Sequence, residues 1–111
     1  MPGITNLILA IIMIESGGND LAIGDNGKAF GCMQIHQCVI DDVNRIKRTS
    51  YTIQDAYNRE KSIEIFKIYT DHYAFNFESK ARVWNGGPRG MDKSQTINYW
   101  KKVNYVIQKG N

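Results

Sequence analysis

Apolar residues run unbroken from Leu7 to Ile14 and give way abruptly to Glu15-Ser16-Gly17-Gly18. A run of that kind predicts a first helix over residues 5–15, buried on most sides and stopped by the two glycines. Ile11, Ile12 and Ile14 would also suit a strand, but no turn-bounded partner run follows, which favours helix. The next dozen residues read as loop, with Gly24-Asp25-Asn26-Gly27 forming tight turns and room for a minimal β-hairpin or irregular loop around 19–30. Ile35, Val39, Val43 and Ile46 then recur at spacings of four, four and three. This is one apolar helix face, on a helix expected to begin near Gly31 or Cys32 and to end in the polar stretch from Lys47 to Tyr51. Thr52 reads as an N-cap with Asp55 in the first turn. The helix it opens is expected to reach about Tyr73, with Ile53, Ala56, Ile63, Phe66, Thr70 and Tyr73 on its inner side. Residues 74–78 connect it to a short helix over 79–84, and Asn85 to Gly90 form a third glycine-rich turn. Asp92-Lys93-Ser94-Gln95 caps the last helix, with Gln95 reaching back and Tyr99, Trp100, Val103, Val106 and Ile107 packing inward. The pattern is mainly all-α, with no repeat or linker, so residues 1–111 form one domain.

Composition narrows the function classes. The chain is 42% hydrophobic and 23% charged, as ordinary globular chains are. Fourteen basic against eleven acidic residues leave a formal charge of +3. That is thin for a nucleic-acid footprint, and the expected second helix carries Asp41 and Asp42 where a recognition helix would be basic. Attraction to a polyanionic cell wall needs less charge. The apolar run to Ile14 is too short to cross a membrane. It has no basic leader and continues into the most chemically suggestive residues, so it is a poor signal peptide. Cys32 and Cys38 lie six apart. On one helix that offset turns them to opposite sides, which favours two free thiols over a bridge. With His36 they make three metal-capable groups, but without a paired Cys-x-x-Cys hook or a fourth ligand. No metal or other cofactor is expected.

Glu15 is the chief chemical candidate. A carboxylic acid at the end of an apolar helix can be held protonated by burial and so donate a proton to a leaving oxygen. The other reading is an exposed glutamate in a last helical turn, where the helix dipole disfavours it. Asp25 is the candidate second carboxylate, with a turn aspartate bonded to its own backbone as the alternative. Ser16 lacks any visible Ser-His-acid arrangement and is a poor nucleophile.

Three segments carry a family resemblance. Glu15-Ser16 followed by Gly24 to Gly27 and Phe30-Gly31-Cys32-Met33-Gln34-Ile35 resembles the core of the soluble lytic transglycosylase (SLT) domain of the lysozyme-like superfamily. Ala81-Arg82-Val83-Trp84-Asn85-Gly86-Gly87 resembles its later Ala-x-x-Tyr-Asn-x-Gly motif, and Tyr99-Trp100 with Lys102-Val103 its final tyrosine-bearing helix. The run from Gly24 to Gln34 is especially similar to goose-type lysozymes, although a second aspartate of that family would fall where this chain has His36. The resemblance implies a small lysozyme-like fold and cleavage of the β-1,4 bond between N-acetylmuramic acid and N-acetylglucosamine in peptidoglycan. Glu15 would be acid and then base, giving 1,6-anhydro ends as the leading reading. Hydrolysis with Asp25 positioning water is the alternative, and a non-catalytic wall-binding module is a further one.

The same resemblance implies that Tyr99 reaches towards Glu15, with Tyr105 as the second choice. It makes Ser16, Gln34, Trp84, Asn85 and Gly86 groove residues, and Arg82, Arg89 and Lys93 are the nearby cations whose chemistry suits muramyl lactate or stem-peptide carboxylates, with solvated surface as the alternative. The implied partner is the peptidoglycan glycan strand, met by a monomer at the wall. Phage, holin, secretion machinery or a separate leader would supply the route there.

Overall fold

The computed structural model describes residues 3–110. It is mainly helical, with α1 at Ile4–Ser16, α2 at Gln37–Lys47, α3 at Arg59–Tyr73, α4 at Phe77–Gly86 and α5 at Gln95–Gln108. A two-stranded hairpin, β1 Ile23–Gly24 and β2 Ala29–Phe30, pairs antiparallel with Ile23 opposite Phe30. It falls inside the segment where the sequence left room for one. Among the described residues no helix is long and apolar enough to cross a membrane.

Helix α1 contributes Leu7, Ile8, Ala10, Ile11 and Ile12 to the core, as its apolar run demands. It is not enclosed all round, because Leu9 and Met13 stand 45% and 55% exposed. Its end is sharp: Gly17 takes a left-handed conformation at φ 65° and its N–H closes on the Met13 carbonyl at 3.0 Å. Helix α5 packs against both α1 and α4, α2 packs against α3, and α3 touches α4. Two packing groups therefore meet along a seam, with the hairpin beside it.

The expected helices shift in four places. The second begins at Gln37 rather than Gly31 or Cys32, because Phe30 and Ile35 exchange backbone hydrogen bonds at 3.0 and 2.8 Å and fold residues 31–34 into a tight loop. Ile35 is buried from that loop, while Val39, Ile40 and Val43 form the helical face. The two cysteines accordingly share no helix, and both thiols are free, Cys32 buried and Cys38 exposed.

The expected long helix from 52 to 73 is broken. A 3-10 turn at Ile53–Tyr57, opened by the Thr52 N–H donating to Asp55 at 2.8 Å, ends at Asn58. Asn58 then caps α3 by accepting the Lys61 N–H at 3.0 Å. The buried stripe of α3 is Ser62, Ile65, Phe66, Tyr69 and Thr70; Phe66 and Thr70 were expected there, while the expected Ile63 and Tyr73 are only partly buried against the core.

The fourth helix is longer than residues 79–84 because Asn76 caps it, accepting the Ser79 N–H at 2.8 Å. At α5 the lock is Thr96 rather than Gln95. The buried Thr96 hydroxyl lies 2.7 Å from the carbonyls of both Gly90 and Lys93 in the 90–93 turn, sharing its one proton between them, and accepts from Arg82 Nε at 2.8 Å.

Gly31 carries a steric demand that Gly17 does not. Both have positive φ, but at Gly31 a Cβ would run into the Ala56 carbonyl, whereas at Gly17 it would meet open space. Gly31→Ala should therefore cost about 2–4 kcal/mol, combining strain and overpacking, and Gly17→Ala only about 1 kcal/mol. Urea unfolding of the two variants measures the difference; equal losses would mean that the contact with the 53–57 turn is easily relaxed.

Candidate active site

The residues of greatest chemical interest converge on one cavity of about 280 Å³ along the seam, lined by Glu15, Asp25, Ala29, Gln34, His36, Trp84 and Asn85. One wall comes from the ends of α1 and α4, and the other from the hairpin and the loop before α2. The lining is mainly polar, with two carboxyl groups and an imidazole against one indole.

Glu15 sits in the last turn of α1, where the apolar run below it removes water. That burial raises its pKa above the ordinary 4.5, opposed by a hydrogen bond from Tyr99, which lowers it. The Tyr99 hydroxyl donates to Glu15 Oε2 at 2.6 Å. Burial, reinforced by the neighbouring carboxylate and that hydrogen bond, holds the Tyr99 phenol well above its usual range, so it remains a donor. The expected reach of Tyr99 towards Glu15 is present in this geometry.

The turn after α1 is held from behind. Arg59, at the start of α3, donates to Asp20 Oδ1 at 2.9 Å and to the Gly18 carbonyl at 2.6 Å. Ser16 does not face the Glu15 carboxyl. Its hydroxyl donates to the Cys32 carbonyl at 2.8 Å and accepts the Gly18 N–H at 3.2 Å, tying α1 to the opposite wall.

That opposite wall carries backbone strain. Asp25, Asn26 and Gln34 have φ of 50°, 56° and 53°, a left-handed conformation uncommon for residues with side chains. Gln34 Nε2 donates to the Gly31 carbonyl at 3.0 Å, and its side chain lies so close to Gly24 that a Cβ there would collide with it. Asp25 is brought to the cavity with His36 beside it, Nε2 lying 3.4 Å from Oδ2. His36 is a lining residue that the sequence offered as one of three metal-capable groups and as a departure from a family pattern, not as part of the site. Its signal was its place directly after Ile35.

Trp84 and Asn85 reach the cavity from the end of α4. The Trp84 Nε1–H donates to the Met33 carbonyl at 3.2 Å, and its ring meets Phe66 and Tyr69 edge-on, so the indole is fixed. Gly86 follows them, but its Cα backs onto Thr96, where a Cβ would press on the methyl group, and its carbonyl accepts from Lys93 at 2.7 Å.

Three other candidates lie apart from this lining. Arg82 is buried, with its guanidinium donating to Thr96, to Glu78 at 2.9 Å and to the Met91 carbonyl at 3.1 Å. It is a brace between α4 and α5, not the carboxylate receptor expected of it. Arg89 is exposed and pairs with Asp92, and Tyr105 is 64% exposed with Lys109 over its ring. Cys32, His36 and Cys38 do not form a ligand set; among the described residues no three His, Cys, Asp or Glu side chains are placed to hold a metal.

Comparison with known proteins agrees with this geometry. The sequence model of the family described as "Transglycosylase SLT domain" matches residues 4–107. The crystal structure of Tapes japonica lysozyme superposes with a TM-score of 0.77 at 26% identity, covering 92% of this chain and 90% of that one. A chain in the complex of Aeromonas hydrophila PliI with Meretrix lusoria lysozyme superposes with a TM-score of 0.79 at 27% identity, covering 96% and 93%. No curated protein sequence matches.

The raised pKa of Glu15 makes a stability prediction. The folded state favours its proton, so the stability this one group contributes is fully present below pH 4.5 and is lost as pH climbs through the raised value. Glu15→Gln has no proton to lose. Its melting temperature should equal the native one near pH 4 and exceed it at pH 8, as read by thermal unfolding across pH. A constant offset would mean that the carboxyl is not desolvated.

Proposed function

We propose a hydrolytic course for this chain, which belongs to the Transglycosylase SLT domain family and is a lysozyme-like enzyme of peptidoglycan cleavage. The observation that carries the proposal is that Asp25 and Glu15 line the same cavity from opposite walls. The similarity to two solved structures that contain lysozymes supports it further. The anhydro-forming reaction is the leading reading of the sequence, but the family motifs do not separate it from hydrolysis; a second carboxyl group at the cavity is what most glycoside hydrolases use.

In this reading the N-acetylmuramic acid–N-acetylglucosamine bond lies between the two carboxyl groups. Glu15, whose pKa burial raises, gives its proton to the leaving glycosidic oxygen. Asp25 accepts a proton from water as the water oxygen bonds to the anomeric carbon, so the elements of water are added across the broken bond. Tyr99 holds Glu15 Oε2, leaving the other oxygen to face the substrate. Trp84 offers a fixed face for a sugar ring, and Asn85 and Gln34 offer amides for the acetamido groups. Ser16 and the Arg59 clamp act by positioning the turn after α1.

Digestion of purified peptidoglycan by the native protein, Glu15→Gln and Asp25→Asn, with mass spectrometry of the released ends, tests this reading. The native protein should give hydrated reducing ends. Glu15→Gln should lose about 10²–10⁴ of the rate, and Asp25→Asn about 10². Anhydro ends that persist in Asp25→Asn would establish the transglycosylase course instead, and wall binding without any Glu15-dependent product would leave a non-catalytic module.

Tyr99→Phe provides a separate check on the acid. Removing the hydrogen bond that lowers the Glu15 pKa should move the alkaline limb of kcat/KM to higher pH. An unmoved limb would mean that another group titrates there.

A further inference from the structure

Asp25 and His36 meet on the wall that faces Glu15. His36 Nε2 lies 3.4 Å from Asp25 Oδ2, and both residues line the catalytic cavity. The gap is longer than a formed hydrogen bond, and a small rotation of either side chain closes it. Contacts of this kind commonly tighten once substrate is bound. The two partners are anchored differently. His36 has an extended backbone at the start of α2, where its carbonyl accepts the Val39 N–H at 3.1 Å. It follows Ile35, which is fully buried and paired with Phe30 of β2. The Asp25 backbone is held in the hairpin turn at φ 50°, but its side chain is exposed and free to turn about χ1 and χ2. Among the described residues no other basic side chain lies within ion-pair distance of that carboxylate.

We propose that His36 is a positioning residue that holds Asp25 for attack by water, and so decides whether the cleaved glycan ends are hydrated or anhydro. The proposal rests on the hydrolytic reading above. Once Glu15 has given its proton to the leaving oxygen, two nucleophiles compete for the anomeric carbon. Water bonds through its oxygen and passes a proton to Asp25, giving a hydrated end. The 6-hydroxyl of the same muramic acid instead closes a ring through its oxygen and returns a proton to Glu15, giving an anhydro end. The first course needs Asp25 in place; the second does not. An Nε2–H donated to Oδ2 leaves Oδ1 for the water, just as the Tyr99 hydroxyl on Oε2 leaves the other oxygen of Glu15. A purely structural role accounts poorly for the pair. The His36 and Asp25 side chains are 41% and 59% exposed, and an ion pair so placed adds little to stability.

The ratio of anhydro to hydrated ends released from purified peptidoglycan, read by mass spectrometry, tests the role in the native protein, His36→Ala, His36→Leu and His36→Gln. The native protein should release mainly hydrated ends. Alanine and leucine offer no donor, and each should raise the ratio about fivefold, or about 1 kcal/mol between the competing transition states. Glutamine carries an N–H to nearly the same place, and its ratio should stay within about twofold of the native one. Melting temperatures should move by less than about 5 °C in all three variants. The ratio is read on whichever of His36→Ala and His36→Leu folds, and loss of fold in both would make the pair structural and overturn the proposal. An unchanged ratio, equal slowing of both courses, or a His36→Gln protein that behaves as His36→Ala does would overturn it too. Mainly anhydro ends, or no cleavage, from the native protein would instead overturn the reading on which it rests, before any His36 variant is compared.

Discussion

The Tyr99 hydroxyl, on the last helix, donates to a carboxylate at the end of the first, 2.6 Å across 84 residues of chain. Most of the site depends on that bond. Burial alone would make Glu15 a reluctant anion in an apolar environment, free to turn in its rotamers. The phenol satisfies one oxygen, partly offsets the desolvation and fixes which oxygen is left over. For Tyr99 to arrive there, α5 must lie against both α1 and α4, and the buried Arg82–Thr96 contact sets that docking. A brace on one side of the helix thus determines what the proton donor on the other side can do.

The facing wall is stabilised differently. It has little helix and only two short paired strands, yet it holds Asp25 and Gln34 in left-handed backbone conformations. Such conformations persist only where the surroundings over-determine them. Here the Phe30–Ile35 exchange, the Gly31 N–H to Ala22 carbonyl bond at 2.8 Å and the close approach of Gly31 to Ala56 do so. One wall is rigid through helix packing, the other through a crowded loop.

The helices were legible in the sequence wherever apolar periodicity was strong, as in α1 and the Tyr99–Ile107 face of α5. Their ends were less so. Gly31 to Ile35 carries enough apolar residues to read as a helix start, and only the backbone pairing of Phe30 with Ile35 around that tight loop excludes it. Asn58 caps a helix inside what periodicity reads as one segment. Glu15, Asp25, Gln34, Trp84 and Asn85 were found through motif order, and the structure draws them to one cavity. Arg82 was misassigned because nothing in its local sequence shows that Thr96, fourteen residues on, would bury it. His36 went unassigned because nothing in its local sequence shows that the hairpin turn would bring Asp25 within 3.4 Å of it.

The seam between the two packing groups has a bearing on how such a site can be inherited. Neither wall of the cavity carries both carboxyl groups: α1, α4 and α5 supply Glu15, Trp84, Asn85 and the Tyr99 contact, while the hairpin and the loop before α2 supply Asp25, Gln34 and His36. No contiguous fragment shorter than nearly the whole chain contains both halves, since Glu15 and Tyr99 lie near opposite ends of it. The site is indivisible. It cannot be grafted as a single loop, because Glu15 meets Tyr99 only when the first and last helices dock.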